Sequence, residues 1–161
     1  MSEAPDFDVV AVHKYFSAEC FNRTWGLLDK AERTPQENQD MVLLSLASLW
    51  HWTERDDCSD TNMSIGYWQA SRVYATIGLP GEARRYGQLC LGASEQPGVL
   101  PFYLGYAYEA LARAEHAAGD PAKAREHLAE SRRIAEGLPN PDAKKQLLAD
   151  LDKLALQLKG Q

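Results

Sequence analysis

The chain repeats itself. Tyr67, Arg72, Gly78, Pro80, Ala83 and Arg84 return 41 positions later as Tyr108, Arg113, Gly119, Pro121, Ala124 and Arg125. Ser71 and Ala112, both small, also correspond. The repeat reads as a helix, a turn opened by glycine, and a second helix. Glycine can take a positive φ and so end the first helix. The alanine that follows is small enough for the second helix to approach the first closely. Two amphipathic helices joined in this way cannot bury their apolar faces alone, so such units stack on one another. The clear units span about residues 64–95 and 105–136.

Prolines mark the other helix starts. Thr34-Pro35-Gln36-Glu37 has a capping threonine, proline at the first helical position and glutamate three after the cap, the pattern of a capping box. Asp120-Pro121 and Asn140-Pro141 repeat the order of cap and proline,. Helices are expected over about 6–29, 35–54, 61–77, 80–93, 99–118, 121–137 and 141–158. In the first, Val9, Val12, Phe16, Cys20 and Leu27 share a face,. The second, with Leu43, Leu44, Leu46, Leu49, Trp50 and Trp52, reads as apolar nearly all round and therefore buried,. In the last, Leu147, Leu151, Leu154 and Leu158 form one apolar stripe, as in a helix that caps a stack,. The same stripe would also serve a homodimer, although two heptads are too few for a coiled coil.

The repeat resembles the tetratricopeptide repeat, whose hairpin carries a small residue in its first helix, glycine before the turn and alanine early in its second. Here those are Ser71 and Ala112, Gly78 and Gly119, and Ala83 and Ala124. The period of 41 exceeds the family's, which is about 34. The late proline of the family is not at its usual place, and the turn around 29–34 lacks glycine. Stretches 47–52 and 66–75 look like those of small bacterial tetratricopeptide-like proteins. The resemblance implies an all-α domain over 1–161: a right-handed stack of three helical hairpins and a C-terminal capping helix. It also implies that the first helix of each pair lines a concave groove, with Trp68 and Arg72 in the positions of Glu109 and Arg113.

With 17 Lys+Arg against 23 Asp+Glu, the net charge is −6. Residues 1–118 hold 9 of those cations and 16 of the anions. An acidic chain without a basic run is a poor partner for nucleic acid or an anionic membrane. The longest apolar stretch, around Met41 to Trp52, is too short to span a bilayer,. The N-terminus lacks the basic-then-apolar order of a signal peptide,. Cys20, Cys58 and Cys90 form no Cys-x-x-Cys pair, which suits a reducing cytoplasm. Motifs for nucleotide, acyl-transfer or zinc-protease chemistry are absent, so no cofactor is expected.

Three constellations carry chemistry. At about 100° per residue, Asn62, Gln69, Arg72 and Thr76 fall on one stripe, and Tyr106, Glu109, Arg113 and His116 on another, with Phe102 alongside,. Guanidinium forks suit carboxylates and phosphates, and the aromatics beside them offer stacking area. The expected function is non-enzymatic binding or scaffolding. Its ligand would be a peptide or protein segment, or a small carboxylate-bearing molecule, held by Asn62, Trp68, Gln69, Arg72, Tyr106, Glu109 and Arg113. The competing reading is that Arg72 and Glu109 pair across neighbouring helices and staple the stack. Second, His13, Cys20 and His51 have the chemistry of a metal site or a Cys–His nucleophile, but the same residues also suit a core. Third, the acidic run 54–60 lacks the order of a calcium loop, and reads as a cap for the third helix.

Overall fold

The computed structural model describes residues 6–160. Among them the protein is all-α, with seven helices and no strand. No helix in the described residues is long and apolar enough to cross a membrane. The chain forms two compact units, divided between Ser59 and Asp60.

The first unit holds α1 (Val9–Leu28) and α2 (Pro35–Thr53), packed against each other. Asp8 caps α1 by accepting from Ala11 N at 3.1 Å. Thr34 and Glu37 form the expected capping box at α2. Thr34 Oγ1 accepts from Glu37 N at 3.1 Å, and Glu37 Oε2 from Thr34 N at 2.8 Å.

The reading of α2 as buried all round is wrong. Leu43 and Trp50 are 56% and 55% exposed. The buried residues are Met41, Ser45, Ser48 and Leu49 on α2, and Ser17, Cys20 and Thr24 on α1. Val9 and Phe16, expected on the buried face of α1, are exposed. Small hydroxyl residues let the two backbones approach, and their hydroxyls are satisfied on the spot. Ser48 Oγ donates to Ser17 O at 2.7 Å, and Thr24 Oγ1 to Cys20 O at 2.8 Å. Periodicity counted the bulky side chains, whereas close packing selected the small ones.

The second unit holds α3 (Asp60–Thr76), α4 (Pro80–Ser94), α5 (Pro101–Ala117), α6 (Pro121–Glu136) and α7 (Pro141–Lys159). Helix α5 lies between α3 and α7; α4 packs on α3 and α5, and α6 on α5 and α7. The two turns of the repeat match bond for bond. Gly78 and Gly119 have φ of 77° and 74°. Leu79 N donates to Tyr74 O at 2.9 Å and Gly78 N to Ala75 O at 3.2 Å. Their counterparts are Asp120 N to Glu115 O and Gly119 N to His116 O, both 3.0 Å. This pair of bonds is the Schellman termination of a helix.

Ala83 and Ala124 are fully buried, as their role in close helix approach requires. Leu147, Leu151 and Leu154 are also fully buried and Leu158 nearly so, so the expected stripe on α7 is its packed face. Each such leucine contributes about 1.5–3 kcal/mol by burial.

Candidate functional site

The polar stripes of α3 and α5 come together in the second unit, and α7 completes them. Trp68 Nε1 donates to Glu109 Oε2 at 2.9 Å. Arg113, one turn along α5, forms an ion pair with Glu109 through its Nε. The Glu109 carboxylate is fully buried. It is satisfied by a cation and an indole N–H, which is what makes burying a charge tolerable. The Arg72 guanidinium lies 5.9 Å from the centre of the Trp68 ring. Gln69 is buried, and Asn62 is half-buried. Glu109 and Gln69 are therefore interior residues, while Trp68, Arg72 and Arg113 keep partial exposure.

Tyr106 anchors the other side. Its hydroxyl donates to Asp150 Oδ2 on α7 at 2.7 Å. Burial, and then the Asp150 carboxylate, push its phenol well above the usual range, so it stays a donor. Trp68, Phe102, Tyr103 and Tyr106, with Asp150 and Gln146, wall a cavity of about 210 Å³. A second, larger cleft of about 400 Å³ lies farther along the same helices, lined by Thr76, Arg113, His116 and Gln157. From Tyr106 to Arg113 the helix advances roughly 10 Å at about 1.5 Å per residue. Nδ1 of His116 is enclosed by protein without a hydrogen-bond partner. One face of α3, α5 and α7 thus presents an aromatic pocket and, about two turns along, a polar cleft.

Asp150, Gln146, Tyr103 and Gln157 were not among the residues expected from sequence. A signal existed: Trp68, Glu109 and Asp150 stand 41 apart in succession, and α3, α5 and α7 begin at Asp60, Pro101 and Pro141. The repeat thus continues into α7 after its glycine and alanine marks have ended.

The Trp68–Glu109 bond staples α3 to α5, and a second staple joins α4 to α5. Arg84 on α4 holds Glu115 on α5 with two bonds, Nε–Oε1 at 2.9 Å and Nη2–Oε2 at 2.7 Å. The Arg84 fork keeps the Glu115 carboxyl below the usual carboxylate range.

His13, Cys20 and His51 do not assemble as a ligand set. His13 Nδ1 and His51 Nδ1 share a hydrogen bond at 2.9 Å. Among the described residues, however, no three His, Cys, Asp or Glu side chains group where they could hold a metal ion. Cys20 belongs instead to the α1–α2 packing, and burial raises its thiol pKa, which opposes nucleophilic use,. The two imidazoles are half-buried rather than core, in ring contact with Trp50 and Phe16. In the second unit, Cys90 is fully buried and pushed up to about 12, chiefly by burial.

No family model, no curated protein and no solved structure matches the chain.

Proposed function

We propose that the protein is a non-enzymatic binding protein, and that the face of α3, α5 and α7 receives an extended peptide segment. In this reading the hairpins belong to a tetratricopeptide-like stack, with those three helices on its concave side. The observation that carries it is the arrangement of two unlike pockets along one face. An apolar group would enter the aromatic pocket. An anionic group would meet Arg113, which lines the polar cleft, and Arg72, which lies beside the Trp68 ring. The spacing of roughly 10 Å suits about three residues of extended chain. Binding is favoured over catalysis because the reactive groups are committed to structure: Glu109 to Trp68 and Arg113, and Cys90 to the interior.

The test compares capture of partners by the wild type, Arg72→Ala and Arg113→Lys, with urea melts of each. Lysine keeps the charge that Glu109 needs but loses the planar fork. A partner held through the groove should bind either variant more weakly by about 1.5–3 kcal/mol, the scale of a charged hydrogen bond. Arg72→Ala should cost less than about 1 kcal/mol of stability, as expected for a partly exposed cation. Equal capture by all three folded proteins would remove the groove from consideration.

A further inference from the structure

The aromatic pocket has the construction of a cage. Trp68 and Phe102 each meet Tyr106 edge-on, with centroids 5.3 and 5.0 Å from it and planes at 72° and 73°. Phe102 and Tyr103 stand at 81°. Edge-to-face contact is how packed rings ordinarily meet; these rings are walls because together they line the cavity. Two of the rings are tied by carboxylates: the Trp68 indole N–H donates to Glu109, and the Tyr106 hydroxyl to Asp150, itself part of the wall. These bonds fix the rings before any ligand arrives, so little ordering is left to be done on binding. They also push electron density into both rings, which strengthens the negative ring face that attracts cations.

Size and charge narrow the occupant. A cavity near 150 Å³ accepts a benzene ring, so about 210 Å³ holds one compact group and a short arm. The charged group on the wall is a carboxylate, Asp150, which also receives Lys153 Nζ at 3.2 Å from a side chain 73% exposed. An anion would face Asp150 at short range. A primary ammonium would have to shed strongly held water against apolar rings. A trimethylammonium group spreads its charge over methyl groups that the rings can touch. We propose that this pocket binds a trimethylammonium head group. The inference names the chemistry of one end of the groove proposed above and rests on that reading.

The full-length protein is titrated with choline and with its neutral isostere, 3,3-dimethyl-1-butanol, following the Trp68 indole N–H by NMR and identifying it with Trp68→Phe. Choline should bind at least about tenfold more tightly than the isostere, the scale of a desolvated cation–π contact. Asp150→Asn and Phe102→Leu should each weaken choline by about tenfold while leaving the isostere within about twofold. Phe102→Leu is judged only if its far-UV spectrum is native, and Asp150→Asn, at a half-exposed position, decides otherwise. A peptide carrying trimethyllysine, beside its unmethylated form, distinguishes the sources. Preference for the methylated peptide over choline assigns the head group to a modified chain, and the reverse to a free small molecule. Equal affinity for choline and the isostere, or no Trp68 shift with choline or either peptide, overturns the assignment. If that happens while partner capture still depends on Arg72 and Arg113, the head group alone fails. Choline binding without such capture fails the peptide groove and keeps the pocket.

Discussion

Glu109 shows how one side chain can be read correctly for its place and wrongly for its exposure. The repeat put it at the position equivalent to Trp68, and the two do bond at 2.9 Å. Helical periodicity fixes direction around a helix but not depth, which depends on what packs over the residue. Glu109→Ala would strand the Arg113 guanidinium, only 16% exposed, and leave the Trp68 indole N–H without its acceptor. A loss of about 3 kcal/mol is expected in urea unfolding, as for a buried pair broken on one side. Glu109→Gln, which keeps an acceptor, should lose clearly less. In the first unit, His51 is held below the ordinary imidazole value by burial and then by His13, with Glu54 opposing. At neutral pH the ring is mostly uncharged whether folded or unfolded. As pH falls below about 6.5 the unfolded chain takes up the proton first, so stability is lost until His51 itself protonates in the fold. Urea midpoints at pH 7 and pH 5 should diverge more for the wild type than for His51→Gln.

At the scale of the element, starts and stops were the most legible part of the chain. Five of the seven helices open within a residue of the expected position; α5 opens two later, where Leu100 stays extended before Pro101, and α1 three later, at Val9. Cap residues and prolines act through bonds within a few residues, so local sequence suffices to place them. Which face packs was less legible, because α1 and α2 meet through serine and threonine. Glycines inside helices carried information that periodicity passes over. A Cβ on Gly105 would collide with the buried Leu147 side chain and touch Ile134. Gly105→Ala should therefore destabilise the protein by about 1–2 kcal/mol despite alanine's better helix propensity, measured by thermal or urea melts. Ala83→Leu and Ala124→Leu should each cost about 1–3 kcal/mol by overpacking. If both are neutral, the alignment of the two hairpins is wrong.

Across the whole molecule, the all-α class was legible from the repeat and the proline marks. The aromatic pocket was not, because it needs α7, whose counterpart residues share the period without sharing residue types. Residues 60–161 contain their own core around Tyr106, Ala135, Leu147 and Leu151. Expressed alone, they should keep a helical far-UV spectrum and melt in a single transition; a spectrum of unfolded chain would show that core to be insufficient. Among the described residues, those up to 59 bury few apolar side chains, Cys20, Met41 and Leu49, and residues 1–59 should not do the same. The hydroxyl-lined contact of α1 with α2 has a further consequence in time rather than in structure. Where serine replaces leucine at an interface, little apolar area opposes a transient opening, and the exposed backbone amides trade their hydrogens with solvent. Deuterium should therefore enter α1 and α2 well before α5, whose buried Ala107, Ala110, Leu111 and Ala114 hold it shut until the chain unfolds as a whole.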